Sequence, residues 1–230
     1  LHLNDLIFGQ KILSDYHIFA LPGGFSFGDD IASGKILANK IKYNLQKDLS
    51  RFISEGKLII GICNGFQVMV KMGLLPALDG NYREQQSTLT FNDSGRFEDR
   101  WVYLAGNPNS ACVFTRGIEK LYLPVRHGEG KFIPKDEATL KTLENQQLVA
   151  LRYCDPEYKV TMSYPFNPNG SVASIAGICD KSGRVFGLMP HPEAFSDFTN
   201  HPRWTRGEAS DHGLGLQIFR NAMAFAEANL

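Results

Sequence analysis

The sequence has no apolar run long enough to cross a bilayer, and its first residues do not have the layout of a signal peptide. It also has no excess of charge of either sign, since 24 basic side chains face 24 acidic ones along 230 residues. No basic field therefore directs the chain to nucleic acid or to an anionic membrane surface. We expect neither a nucleic-acid nor a membrane partner.

Cysteine is scarce, and the motifs of common cofactor sites are absent. The four cysteines are widely spaced, with no Cys-x-x-Cys pair and no zinc-type clustering with histidine, which predicts reduced thiols, a cytoplasmic location and no metal site. The glycine-rich stretch 23–28 lacks both the Lys-Ser/Thr of a phosphate loop and the spacing of a dinucleotide fingerprint. We therefore expect no ATP- or NAD-binding site in this chain.

Hydrophobic periodicity predicts one α/β domain over residues 1–230, with a partly antiparallel insertion. Continuous apolar runs and helical stripes alternate in the first third, and short strands between Asn, Gly and Pro clusters follow. The predicted strands are 16–21, 58–60, 88–91, 101–104, 111–115, 121–125 and 148–153, with a hairpin of 172–179 and 184–188. The predicted helices are 36–55, one that ends at Gly73, and 215–229.

The start of the chain is short for a sheet of this kind. Residue 1 is Leu, and the first clear strand leads at once into Pro22-Gly23-Gly24. We expect that a strand and a helix upstream of residue 1 are missing from this sequence.

The stretch 58–67 has the layout of a nucleophile elbow. A β-branched apolar run leads into Gly61-x-Cys63-x-Gly65, and a helical pattern follows. Such a turn holds the nucleophile in a strained conformation at a helix N-terminus, where unpaired N–H groups favour a thiolate. A buried structural cysteine in a βα unit is the alternative for this motif taken alone.

A cysteine nucleophile needs a base and an acid that orients the base. His191 comes just after a predicted strand and has a proline on each side, and Glu193 follows two residues later. Prolines force an extended backbone, in which residues two apart point to the same side, so Glu193 can orient the His191 imidazole. A surface loop is the alternative for His-Pro-Glu by itself.

Acyl transfer also requires N–H donors for the developing oxyanion. One candidate is the N–H group of Asn64, directly after the nucleophile. The second is Gly24, in the glycine turn after the first strand, for which a plain tight turn is the alternative.

Together these motifs resemble the class I (triad) glutamine amidotransferases. Within that superfamily, five ordered segments are similar to the glutaminase subunits of phosphoribosylformylglycinamidine synthase: LPGGFSFGDD (21–30), VRHGEGKF (125–132), NPNGS (167–171), IAGI (175–178) and GLMPHPE (187–193). The resemblance implies a flavodoxin-like α/β fold, with a mostly parallel central sheet flanked by helices and a smaller antiparallel sheet.

The resemblance also implies the chemistry of the site. Cys63 attacks the side-chain amide of L-glutamine, His191 protonates the departing ammonia while Glu193 holds the ring, and water releases glutamate from the thioester. Gln67 matches the glutamine-pocket position of the superfamily. His127, Gly128 and Glu129 match a loop that grips the amino-acid end of the substrate, for which a plain turn between strands is the alternative.

Partners follow from the same resemblance. In the family, ammonia passes to a synthetase subunit that uses ATP and Mg²⁺ to aminate formylglycinamide ribonucleotide in purine biosynthesis, and a small third subunit helps assembly. This chain itself is expected to carry no cofactor.

Other interpretations stay open on the residues alone. They are a triad amidotransferase with another acceptor, a cysteine hydrolase or chaperone with the same elbow, and a non-catalytic scaffold. His201 and His212 are expected at the surface, and Arg96 and Arg100 on a solvated edge rather than at a partner.

Overall fold

A computed structural model describes residues 1–208 and 214–230. Its helices are α1 (Leu3–Ile7), α2 (Lys35–Ser54), α3 (Asn64–Met72), α4 (Glu137–Asn145) and α5 (Leu216–Asn229). Its strands are β1 (Ile18–Leu21), β2 (Leu58–Ile62), β3 (Ser87–Thr90), β4 (Glu98–Gly106), β5 (Lys120–His127), β6 (Lys131–Pro134), β7 (Val149–Cys154), β8 (Ile175–Cys179) and β9 (Val185–Leu188).

The described strands form a seven-stranded sheet in the order β1-β2-β9-β8-β7-β4-β5 and a two-stranded sheet of β3 and β6. Five of the seven strands point the same way, although only the pairs β1–β2 and β2–β9 are hydrogen-bonded in parallel. The β3–β6 pair is antiparallel. The predicted fold class, a central α/β sheet with a smaller antiparallel one, is confirmed.

The parallel half of the sheet holds the elbow. All five residues of β2 are buried, as expected for a strand covered on both faces. Helix α3 is also buried except at Lys71, and it ends at Gly73, whose φ of 84° favours glycine. Gly187 on β9 makes this packing possible, because a Cβ there would overlap the Phe66 ring. Cys63 is thus fixed between two buried elements.

Most predicted elements are present with small shifts at their ends. The exception is 111–115, which is a loop and not a strand. Its backbone turns to meet the β8–β9 hairpin, where the Val113 N–H donates to Gly183 O at 2.9 Å. Likewise 172–174 form a 3₁₀ turn, and the strand begins only at Ile175.

Three elements were not predicted. They are the short helix α1, helix α4 and strand β6, which pairs with β3. The prediction for His212 falls outside the described residues. Among the helices that the structure describes, none combines the length and the apolar character that crossing a membrane requires.

Candidate active site

Cys63 occupies a sharp turn between β2 and α3. Its φ and ψ angles of 50° and −105° lie outside the regions that ordinary residues adopt. Two backbone hydrogen bonds hold the turn: the Cys63 N–H donates to Leu188 O at 2.8 Å, and the Gln67 N–H donates to Cys63 O at 3.0 Å. Gly65 allows the helix start to reach β1, because a Cβ there would overlap Leu21 O. The strained, over-determined turn is that of a nucleophile elbow.

The Cys63 side chain is 5% exposed, and its Sγ lies 3.5 Å from Arg126 O. Burial raises the pKa of the Cys63 thiol to about 12, and the carboxylates of Glu193 and Asp29 add to the rise. A hydrogen bond from the Asn64 N–H acts in the opposite direction. The thiol is therefore protonated near neutral pH, and its reaction requires a base.

His191 and Glu193 are in direct contact, with Nδ1 of the ring 2.6 Å from Oε1 of the carboxylate. The predicted backbone for this contact is wrong. Residues 192–194 form a 3₁₀ turn that starts after His191, and the turn, not an extended strand, brings the two side chains together. The His191 N–H donates to Pro124 O at 2.8 Å, which anchors the turn on β5.

The other ring nitrogen of His191, Nε2, is buried and has no hydrogen-bond partner in the described part of the chain. Gly23 lies against this ring: a Cβ built on Gly23 would stand 2.7 Å from His191 Cε1 and 3.5 Å from Cys63 Cβ. The imidazole and the nucleophile thus flank the same glycine. The sequence indicated Gly24 and not Gly23, because the contact between Gly23 and His191 joins segments about 170 residues apart.

The two predicted oxyanion donors have different surroundings. The Asn64 N–H lies close enough to the Cys63 sulfur to lower the pKa of the thiol. Gly24 follows β1 with a φ of 124°, and the space around a Cβ there is open. Its φ favours glycine, so the residue is suited to a turn whose N–H groups face a ligand. Its role as the second donor stays a prediction.

A hydrogen bond joins the Gln67 side chain to the backbone carbonyl of Glu129. The Gln67 Nε2 donates to Glu129 O at 2.5 Å, and Gln67 is only 3% exposed. The Glu129 carboxylate accepts from the Ser33 N–H, with both oxygens at 3.4 Å. The structure therefore brings the two predicted substrate-binding segments together beside the elbow.

His127 points into the protein. Its Nδ1 lies 3.1 Å from Asn92 Oδ1, and burial lowers its pKa to about 4, with a smaller contribution from His191. Asn92 also accepts from the Gly130 N–H at 2.9 Å, and its own N–H donates to Gly128 O at 2.9 Å. Since the imidazole is held inside and Gly130 is buried, the half-buried Gly128 and Glu129 are the part of this loop that can face a substrate.

Further residues missed by sequence reasoning support that loop. Asn169 donates to Gly130 O at 2.8 Å, and Ser171 Oγ accepts from the Phe132 N–H at 3.0 Å. No sequence motif around Asn92 indicates that it supports this loop. The NPNGS segment did stand out in the sequence, and its buried polar side chains explain why it has that composition.

The prediction for His201 is wrong. The side chain is 7% exposed and packs among the rings of Trp101, Tyr122 and Phe195, at centroid distances of 5.5 to 5.8 Å. Its position in a polar segment of sequence hid this contact. Arg100 lies half-buried, paired with Glu98 at 2.7 Å and bonded to the Tyr164 hydroxyl at 2.7 Å.

Within residues 1–208 and 214–230, no group of three or more His, Cys, Asp or Glu side chains is arranged to hold a metal ion. That this chain works without a cofactor stays a prediction.

Known proteins match almost the whole length of this chain. Residues 1–226 match the model of the CobB/CobQ-like glutamine amidotransferase domain. The phosphoribosylformylglycinamidine synthase subunit PurQ of Dehalococcoides mccartyi is 48% identical over 227 residues, which are 98% of this chain and 86% of that protein. The PurQ subunit of Methanococcus maripaludis strain C7 is 47% identical over 235 residues, covering 97% and 86% of the two chains.

A solved structure also matches this chain over most of its length. The structure of PurLQS from Thermotoga maritima contains a chain with 33% identity and a TM-score of 0.67, and the match covers 94% of this chain and 82% of that one. Fold, elbow and matches together define a glutamine amidotransferase. Within that class the chain belongs to the family of the PurQ subunits of phosphoribosylformylglycinamidine synthase.

Proposed function

We propose that this chain hydrolyses L-glutamine to glutamate and ammonia, with Cys63 as nucleophile, His191 as base and then acid, and Glu193 as its orienting partner. His191 accepts the thiol proton, and the sulfur attacks the amide carbon. The imidazolium then gives its proton to the leaving ammonia as the C–N bond breaks. Water, activated by the same ring, cleaves the resulting thioester.

The raised pKa of Cys63 makes this base necessary. A thiol that titrates near 12 is almost entirely protonated at pH 7, so the reactive thiolate forms only as the proton moves to His191. The short contact between Nδ1 and Glu193 holds the ring, and the buried Nε2, which has no hydrogen-bond partner in the described part of the chain, is the nitrogen that accepts the thiol proton.

The remaining residues hold the substrate. The N–H groups of Asn64 and Gly24 bind the oxyanion of the tetrahedral intermediate. Gln67 and the backbone of His127, Gly128 and Glu129 form the pocket for the amino-acid end of glutamine, supported by the hydrogen bond that joins Gln67 to Glu129 O.

The ammonia is the product that the complex uses. The chain is the glutaminase component of phosphoribosylformylglycinamidine synthase, and a synthetase subunit receives the ammonia to aminate formylglycinamide ribonucleotide. That partner supplies the ATP and Mg²⁺ chemistry, and a small third subunit completes the assembly. The observation that carries this function is the strained Cys63 turn with His191 held at Gly23.

Reconstitution with the two partner subunits tests the function. With Cys63→Ser we expect glutamine-dependent product formation to fall at least 100-fold, while synthesis from added ammonium salt stays within twofold of wild type. Cys154→Ala removes another buried thiol, in β7, and serves as the control. Unchanged glutamine-dependent synthesis in Cys63→Ser would overturn the proposal. A wild type that assembles but never hydrolyses glutamine would establish the scaffold alternative.

A further inference from the structure

Asp29 lies in the loop between β1 and α2, outside the predicted catalytic set. Its Oδ1 accepts two hydrogen bonds, from Asn64 Nδ2 at 3.1 Å and from the Gly34 N–H at 3.0 Å. The residue has a φ of 54°, a left-handed conformation that a non-glycine residue adopts at a cost. The carboxylate therefore ties a strained loop to the residue that follows the nucleophile.

From Asn64 the hydrogen bonds continue into the glutamine pocket. Asn64 Nδ2 also donates to Gln67 Oε1 at 3.0 Å, and Gln67 Nε2 donates to Glu129 O at 2.5 Å. The opposite side of the Asn64 amide, Oδ1, accepts from the Ser26 N–H at 3.3 Å. A continuous chain thus runs from Asp29 to the loop predicted to grip the substrate.

Every bond in this chain has a direction, and an acceptor at each end agrees with it: the Asp29 carboxylate at one end and the Glu129 carbonyl at the other. An ionised carboxylate only accepts, so Asn64 must turn its NH₂ group toward Asp29. The same NH₂ group then requires the oxygen of Gln67, and this leaves the Gln67 NH₂ group for the Glu129 carbonyl. Without the carboxylate, the Ser26 N–H and Gln67 still define the orientation of the Asn64 amide, but one Nδ2 hydrogen bond and the bond from the Gly34 N–H are lost, so the Asn64 side chain is held less firmly.

We infer that Asp29 is a positioning residue of the glutaminase, which acts through Asn64 and Gln67 to orient the glutamine pocket and the oxyanion donor. The inference rests on the proposed function, since it concerns the substrate of that site. It concerns substrate binding and not the reactivity of the sulfur.

The charge of Asp29 supports this division of roles. Its carboxylate is among the groups that raise the pKa of Cys63, so it opposes formation of the thiolate. Because its charge disfavours the Cys63 thiolate, Asp29 contributes to the site through its hydrogen bonds. Asp30 provides the matched control, because it carries the same charge one residue later, is exposed, and makes no side-chain hydrogen bond in the described structure.

The test compares two reagents on Asp29→Ala, Asp29→Asn, Asp30→Asn and wild type, with and without the partner subunits. An electrophilic glutamine analogue requires the pocket, whereas iodoacetamide requires only an accessible thiol. For Asp29→Ala we expect labelling of Cys63 by the analogue to slow at least tenfold, with iodoacetamide labelling within about threefold of wild type. The KM for glutamine should rise by a similar factor.

Rescue tests whether the site requires the acceptor oxygen of Asp29 or its charge. Asn keeps an acceptor oxygen, so Asp29→Asn should recover most of the analogue labelling, and Asp30→Asn should match wild type. Equal slowing with both reagents, or no slowing at all in Asp29→Ala, would overturn the inference. If the wild type itself is not labelled at Cys63 in either condition, the proposed function fails, which is a distinct result.

Discussion

The ring of His191 lies directly against Gly23, so that a Cβ on this glycine would stand 2.7 Å from Cε1 of the imidazole. Real Cβ atoms do not approach a ring so closely, and the ring is held in place by the contact of its Nδ1 with Glu193 Oε1 at 2.6 Å. The position of the His191 ring therefore requires glycine at position 23 for steric reasons.

Gly23→Ala should for this reason displace His191 and impair catalysis with the fold intact. We expect kcat for glutamine hydrolysis to fall about 100-fold, the size of loss that a shift near 1 Å in a reacting group can cause. Circular dichroism and thermal unfolding check the fold. Gly117→Ala is the control, since its φ of 70° adds strain but open space surrounds it, so it should cost about 1–2 kcal/mol and no activity.

In the proposed mechanism the charge of Glu193 stabilises the imidazolium, and Glu193→Gln removes that charge but keeps the size of the side chain. We expect kcat to fall by roughly 10² to 10⁴, the range associated with loss of acid–base catalysis. Glu157→Gln, on an exposed carboxyl, should behave as wild type. A Glu193→Gln enzyme with near-normal turnover would remove Glu193 from the triad.

His127 should make stability depend on pH. Its pKa is lowered by burial from 6.5 to about 4, so below pH 6.5 the unfolded chain binds a proton that the folded chain does not. This contribution is fully present above pH 6.5 and is lost as the pH falls toward 4, by up to about 3 kcal/mol. Urea unfolding at several pH values measures it.

The variant His127→Gln isolates that effect, because Gln can still donate to Asn92 and does not titrate. The difference in unfolding free energy between wild type and variant should shrink on acidification. His17→Gln, at an exposed site, should run parallel to wild type. A His127→Gln curve that also runs parallel would show that His127 is not buried neutral.

His201 should hold the segment 195–208 on the sheet. His201→Ala removes a ring from the cluster of Trp101, Tyr122 and Phe195, and we expect a loss of about 1–3 kcal/mol. Trypsin should then cut sooner after Arg203 or Arg206. Cleavage at the wild-type rate would place His201 at the surface, as the sequence had suggested.

The features that were predicted correctly depend on local sequence patterns. The elbow and the His191–Glu193 pair depend on residues within a few positions of each other, so spacing alone exposes them. The strands β2 and β9 and the helices α2 and α3 follow from apolar runs that the core requires.

The features that the sequence did not predict depend on contacts between residues far apart in the chain. Gly23, Asp29 and Asn92 act on residues far away in the chain, and no spacing rule connects them. The segment 111–115 has the composition of a strand but meets the β8–β9 turn, and β6 is visible only once β3 is beside it. His201 shows the same limit, since polar neighbours in sequence do not exclude an aromatic contact in space.

Peptide mapping after treatment with an electrophilic glutamine analogue tests the central claim most directly. We expect one adduct per chain, at Cys63, that excess glutamine prevents and that His191→Ala slows strongly. Cys112, Cys154 and Cys179 are buried like Cys63 but lie outside the elbow, so they provide internal controls in the same digest. An adduct at one of those cysteines, or an adduct at Cys63 that glutamine does not prevent, would contradict a glutaminase site at this elbow.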